Sequence, residues 1–251
     1  MIRTFLERLR QGHQTVNMPD KLPALPAGFQ GVPEIDGARF SACQKELVTR
    51  CPTGAIGEHG LDLGKCVFCQ NCAGAAAGGA INFGKNFRLA SSDRNSLLLA
   101  GGNVPLVRPL DKRRQNLFKN SFKIRQVSAG GCGACEADTN VLNTLVWDLG
   151  RFGVQFVASP RHADAILVTG PVTANMKQAL LDTYKAVPEP KAVIAVGTCA
   201  VSGGIYAGHE ETNSGTDTLL PVDLYIPGCP PHPLTILHGI LALLGKWPAD
   251  K

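Results

Sequence analysis

The sequence predicts an α/β chain in two parts, a largely parallel sheet with helices on both faces, preceded by a small α+β domain built around cysteines. Three observations point there. From residue 123 onward, apolar strand-like runs alternate with helical patterns, and each run stops at Gly, Pro or Cys, as expected of strands joined by crossover helices. The nine cysteines are unevenly spread, three of them in one C-x-x-C-x-x-C run. The 251 residues suit two cores, given domains of roughly 100 to 200 residues each. A 44% hydrophobic and 18% charged composition argues against disorder. The expected boundaries are 1–30 for an amphipathic helix and linker, 31–90 for the cysteine-rich domain, 91–122 for a basic linker and 123–247 for the sheet domain.

In the first segment, Ile2, Phe5, Leu6 and Leu9 recur at helical spacing beside Arg3, Arg8 and Arg10. The expected partner of that stripe is the protein itself or another subunit, with contact to a membrane surface as the lesser alternative. There is no apolar signal core and no twin arginine, so the expected compartment is the cytoplasm. The longest apolar stretch, Leu234 to Leu244, is far short of the roughly 18 residues a span needs.

Nine thiols without an export signal point to metal rather than disulfides. Cys66, Cys69 and Cys72 form the C-x-x-C-x-x-C run, and Cys51 is followed by Pro52. A tight loop can wrap three thiolates around three irons of a cubane while a remote Cys-Pro closes the fourth corner. Zinc, which also takes four thiolates, is the weaker alternative. A faint repeat supports iron: Cys51–Ile56 recurs 25 residues later as Ala76–Ile81, its cysteine lost. Ser41, Gln44 and Leu47 stand where a second set of three ligands would fall. Residues 31–90 thus resemble a two-cluster ferredoxin domain reduced to one 4Fe-4S cluster. Cys43 falls out of register and is expected to be structural or a surface thiol.

The next segment concentrates charge. Residues 108 to 125 hold seven cations and one anion, in a chain whose net charge is only +5. With no nucleic-acid-binding signature around it, such a stretch is expected to be a solvated linker or a docking strap, and no nucleic acid partner is expected. Extended at about 3.3 Å per residue, Gly101 to Asn120 could span a wide gap, so linker length alone cannot keep the two halves close.

In the second half the expected strands are Lys123 to Ser128, Gly153 to Ala158, Asp164 to Thr169, Lys191 to Gly197 and Val222 to Ile226. The expected helices are Glu136 to Leu149, Thr173 to Ala186 and Pro233 to Leu244. Ligands of such sheets bind outside the carboxyl ends of the strands. Cys132 and Cys135 follow the first strand, Cys199 the Lys191 to Gly197 strand and Cys229 the last, so the four thiols converge on one edge. They are assigned a second 4Fe-4S cluster. Glu136 either tunes that cluster or simply favours a helix start through the macrodipole. Arg161 and His162 are read as a turn with interface contact or mere solvation, and His209, Glu210 and Glu211 as surface loop. No nucleophile triad, phosphate loop or paired-carboxylate site stands out.

G-G-C-G-A-C (130–135), P-R-H-A-D-A-I-L-V-T-G-P-V-T (160–173), G-T-C-A-V-S-G-G (197–204) and G-T-D-T-L-L-P-V-D-L-Y-I-P-G-C-P-P (215–231) together resemble the small subunit of energy-converting [NiFe] hydrogenases. That group is related to the 20 kDa cluster-bearing subunit of respiratory complex I. The resemblance covers about residues 120–246 and implies a flavodoxin-like sheet domain. It also implies that Cys132, Cys135, Cys199 and Cys229 hold a proximal cluster facing the nickel-iron site of a separate large subunit. Further ferredoxin-like and membrane subunits would be partners, placing the chain peripherally on the inner face of the cell membrane. Complex I homologues have adjacent cysteines in the first motif, whereas Gly133 and Ala134 separate them here, which favours hydrogenase over a quinone-linked oxidoreductase. The N-terminal ferredoxin-like half is not part of the usual small subunit, so the chain looks like a fusion making a two-cluster wire. A non-catalytic iron-sulfur scaffold or sensor fits less well, since both clusters would be fully ligated.

Overall fold

The computed structural model describes residues 2–12, 14–73, 78–100 and 105–248. The second half forms a five-stranded, wholly parallel sheet from β6 (Phe122–Ser128), β7 (Val154–Phe156), β8 (Ala165–Thr169), β9 (Ala192–Val196) and β10 (Leu224–Ile226), in the order β10-β9-β8-β6-β7. β8 and β9 are buried at every position, which is why both read as unbroken apolar runs. Their side chains alternate between two layers. Ala165, Leu167, Ala192 and Ile194 join α7 (Pro233–Leu243) and the end of α4 (Ala134–Val141) on one face, while Ile166, Val168 and Val193 meet α5 (Ala174–Ala186) on the other. Each large aliphatic side chain so buried contributes about 1.5–3 kcal/mol.

Helix α4 ends well before the expected Leu149. Past Val141 the Thr144 hydroxyl donates to the Val141 carbonyl at 2.7 Å, a local bond that competes with helix continuation. Asp148 then takes a left-handed φ of 43°, and a 3₁₀ turn, Leu149–Phe152, leads to β7.

The cysteine-rich half is an α+β unit. β1 (Pro33–Ile35) pairs antiparallel with β4 (Ile81–Phe83), and β2 (Ile56–Gly57), β3 (Gly60–Asp62) and β5 (Leu98–Leu99) form a second small sheet. Between β1 and β2 lies α2 (Gly37–Arg50), whose first amides, Ala38 and Arg39, donate to the Asp36 carboxylate at 3.1 Å, a side-chain N-cap. Residues 76 and 77 of the expected repeat lie outside the described residues; its last residue, Ile81, opens β4.

Residues 91–122, expected as a linker, are folded where described. Leu98 and Leu99 supply β5, and Ser91 bridges Tyr225 beside β10. Helix α3 (Lys112–Phe118) packs Phe118 into the sheet-domain core, and Arg114 reaches Asp223 at 2.8 Å. The two halves share a core: Phe40, Leu47, Leu61, Leu63 and Ile81 lie in one cluster with Ala195, Ala200, Val201 and Tyr225. Arg94, paired in two-pronged fashion with Asp62 at 2.8 Å for each bond, braces the β3 side of that core.

The amphipathic helix forms as expected, α1 (Ile2–Gln11), but not against its own protein. None of its residues is buried, and Ile2, Phe5, Leu6 and Leu9 are 79%, 64%, 57% and 65% exposed. No helix among the described residues is long and apolar enough to cross a membrane.

Candidate functional site

The first thiol group gathers at the end of α2. Cys51 caps that helix and Pro52 prevents its continuation, while the loop carrying Cys66, Cys69 and Cys72 coils back over it. Phe68 and Gln70 take positive φ values of 54° and 63°, two alternate left-handed residues that bend the loop tightly. Cys51, Cys66, Cys69 and Cys72 line one small pocket closed by Leu61, Val67 and Phe83. Backbone amides already address the sulfurs: Ala55 N–H donates to Cys51 Sγ at 3.2 Å and Phe68 N–H to Cys66 Sγ at 3.4 Å. Burial pushes the Cys66 thiol up to about 12 and the Cys72 thiol up to about 11, and charge on the neighbouring thiols adds to both. Unbound, both stay protonated at neutral pH. Only a cationic centre bound among them would hold them as thiolates.

The second group sits at the carboxyl ends of three strands. Cys132 and Cys135 flank the start of α4 after β6, Cys199 lies in α6 (Thr198–Ser202) immediately after β9, and Cys229 follows β10. Glycine makes the space. A Cβ on Gly197 would stand 2.4 Å from Cys135 Sγ, at a backbone φ of 89° that side chains rarely adopt. Burial pushes Cys135 up to about 12 and Cys199 up to about 11; for Cys135 charge on Cys199, Glu136, Cys229 and Cys132 contributes further. Cys132 and Cys229 are exposed, so this group opens at the surface; the first group buries Cys66 and Cys72 and exposes Cys69.

The structure brings together both expected sets of four. Among the described residues, no group of three or more His, Cys, Asp or Glu is drawn in tightly enough to hold one metal ion. Soft sulfur donors, apolar walls, amides aimed at sulfur and glycine clearance fit a larger centre in which each thiolate meets a different iron.

Cys43 lies outside the first pocket, on α2, with its Sγ donating to the Arg39 carbonyl at 3.0 Å. Glu136 accepts from Ser128 Oγ at 2.5 Å and Thr169 Oγ1 at 2.7 Å, tying the start of α4 to the ends of β6 and β8. Burial raises its carboxyl, but those hydroxyls prevail and hold it below the ordinary range. Arg161 and His162 form an exposed 3₁₀ turn before β8, at the edge of the sheet opposite the thiols. His209, Glu210 and Glu211 are exposed loop. Sequence reading missed Thr198 and Ser202, whose hydroxyls donate to the carbonyls of Cys66 and Gly64, each at 2.7 Å. Their one visible signal is their spacing four apart around Cys199, which puts both on one side of a helical turn.

Residues 132–243 match the family profile described as NADH ubiquinone oxidoreductase, 20 Kd subunit. The probable membrane-bound hydrogenase subunit mbhJ of Pyrococcus furiosus is 41% identical over 140 residues, which cover 55% of this chain and 84% of that protein. The chain belongs to the 20 kDa subunit family. Other relatives include formate hydrogenlyase subunit 7 of Escherichia coli, 42% identical over 128 residues, 51% of this chain and 50% of that one. An NADH-quinone oxidoreductase subunit of Geobacter metallireducens is 43% identical over 121 residues, 48% of this chain and 71% of the relative. The family match begins at Cys132 and takes in all four thiols of the second group, leaving the first group outside it.

Proposed function

We propose that this chain is the electron-transfer subunit of a membrane-associated [NiFe] hydrogenase complex, with one 4Fe-4S cluster in each thiol group and the nickel-iron site in a partner large subunit. The observation that carries the reading is the pair of four-thiol groups set in two halves that share one core. Bound clusters supply one-electron chemistry. Cys51, Cys66, Cys69 and Cys72 would ligate one cluster, with the Ala55 and Phe68 amides stabilising negative charge on sulfur. Cys132, Cys135, Cys199 and Cys229 would ligate the other, where the exposed Cys132 and Cys229 face outward toward the large subunit. Two relatives are named as hydrogenase or formate hydrogenlyase subunits, and the Cys132-Gly-Ala-Cys135 spacing supports the same choice. Further ferredoxin-like and membrane subunits would hold the chain at the inner face of the membrane.

A quinone-linked, complex I-like role is the second reading, favoured by comparable identity to the quinone oxidoreductase relative. One preparation separates the two. Purified anaerobically with its partners, the chain should carry about eight irons and eight acid-labile sulfides, four per cubane, beside a large subunit containing nickel. Stoichiometric zinc with four or fewer irons would remove one of the two cluster assignments. A nickel-free complex that reduces a quinone would promote the second reading.

A further inference from the structure

Thr198 is buried between the two thiol groups and touches both. Its Oγ1 lies 2.7 Å from the Cys66 carbonyl oxygen and 3.1 Å from that of Gly228, and the Gly228 N–H approaches it at 3.4 Å. A hydroxyl has one proton to give. The Gly228 carbonyl already accepts the Thr198 N–H at 2.8 Å, and the Cys66 contact is shorter, so the hydroxyl donates to Cys66 and accepts from Gly228. One side chain thereby contacts the backbone of Cys66 in the first group, immediately precedes Cys199 in the second, and contacts the residue before Cys229.

We propose that Thr198 is a positioning residue for electron transfer between the two clusters, its hydroxyl fixing the separation of the two thiol groups and linking Cys66 to Cys199 through a single hydrogen bond. This rests on the two-cluster reading above. In the step it serves, one reduced cubane loses an electron and the oxidised one gains it; no covalent bond changes and no proton moves. The electron enters from a low-potential one-electron reductant. Ser202, one turn further along α6, serves as the control. Its hydroxyl pins the same loop through the Gly64 carbonyl but adjoins no cluster ligand.

The experiment uses the full chain with both clusters loaded. After reduction by less than one equivalent of a viologen radical, freeze-quenched paramagnetic resonance follows the redistribution of the electron between the two cluster signals. Thr198→Val keeps shape and loses the hydroxyl; it should retain eight irons on the cubane count and both signals, yet equilibrate severalfold more slowly. Thr198→Ser should restore the rate, and Ser202→Ala should leave it unchanged. An unaltered rate in Thr198→Val, or equal slowing in Ser202→Ala, overturns the inference. If Thr198→Val sheds a cluster, Thr198→Ala replaces it; loss of the first cluster in both would make Thr198 a prop of that group alone and also overturns the coupling role. A wild-type chain with fewer than two clusters would sink the functional reading instead, a result distinct from all of these.

Discussion

The two thiol groups solve one problem by different means. The first draws three of its four cysteines from seven consecutive residues and the fourth from the end of the helix that precedes them, so it is made mostly by local backbone. The second collects its cysteines across almost a hundred residues, and only the parallel sheet brings them together. A loop-wound group can be altered without disturbing a sheet. A group seated on strand ends depends on backbone clearances that several elements share. Damage to the second should therefore spread further.

The largest effect is expected from Cys132→Ser in the complex. On the proposed function, hydrogen uptake and evolution should fall to background while nickel content of the large subunit persists, because the change would interrupt the proposed wire and spare the partner's site. The counterpart Cys69→Ser should remove the first cluster's low-temperature paramagnetic signal and leave the second's. If Cys69→Ser abolished both signals, the contrast between a local and a distributed group would be wrong. The chain alone, fully loaded, should show no hydrogen turnover, since Cys43 is the one thiol left over and cannot hold a bimetallic site bound by several thiolates.

Gly197→Ala tests the same contrast without touching a ligand. The new methyl would meet Cys135 Sγ at 2.4 Å on a backbone with φ 89° and ψ 151°, a region that costs about 1–3 kcal/mol for a residue other than glycine. Iron should fall from about eight to about four per chain, with the first cluster's signal intact. Full iron content would mean that the strand ends yield more readily than the close approach implies. Among the described residues, no glycine has a first-group sulfur among the atoms its Cβ would meet, and Gly54, beside Cys51, has open space there.

This difference also explains what could be read from sequence. The C-x-x-C-x-x-C loop is a short-range pattern, and β8, β9 and β10 are apolar runs followed by glycine or proline, so the loop and the centre of the sheet were legible. The folding of residues 91–122 was not. Its charges stand out in the sequence, whereas what folds it is a few well-placed apolar side chains: Leu99 in a two-residue strand, Leu110 and Phe118 in the sheet-domain core. The Arg94–Asp62 pair joins residues 32 apart, a partnership no periodicity encodes. Helix α4 reads too long in the sequence because Leu142 and Leu149 are both buried core residues, although a turn and a 3₁₀ segment, rather than a continuous helix, carry them there.

Asp62→Ala probes the junction between the halves at smaller cost. It leaves the Arg94 guanidinium half-buried without its two-pronged acceptor and frees the Gly64 amide, which donates to Asp62 at 2.8 Å just before Cys66. A loss on the order of 2 kcal/mol is expected, measured by denaturant unfolding of the loaded chain. Both clusters should remain, because the loop is also held by Thr198 and Ser202. Loss of the first cluster here would show that its loop depends on the junction as heavily as the second group depends on its sheet.

The smallest effect is expected at Cys43. It shares α2 with the approach to Cys51, yet its thiol bonds to the Arg39 carbonyl one turn back at 3.0 Å, and the pocket lined by the other four thiols does not include it. Cys43→Ser preserves a donor of similar reach, so stability should change by no more than about 0.5 kcal/mol and neither cluster signal should move. This variant reads the register of the first group directly. The loop from Cys66 to Cys72 can satisfy only one outside cysteine at the fourth corner, and the helix end offers Cys51, whose sulfur already accepts a hydrogen bond from the Ala55 N–H. A first-cluster signal that vanished in Cys43→Ser and survived in Cys51→Ser would reverse that choice and move the fourth corner two turns back along α2.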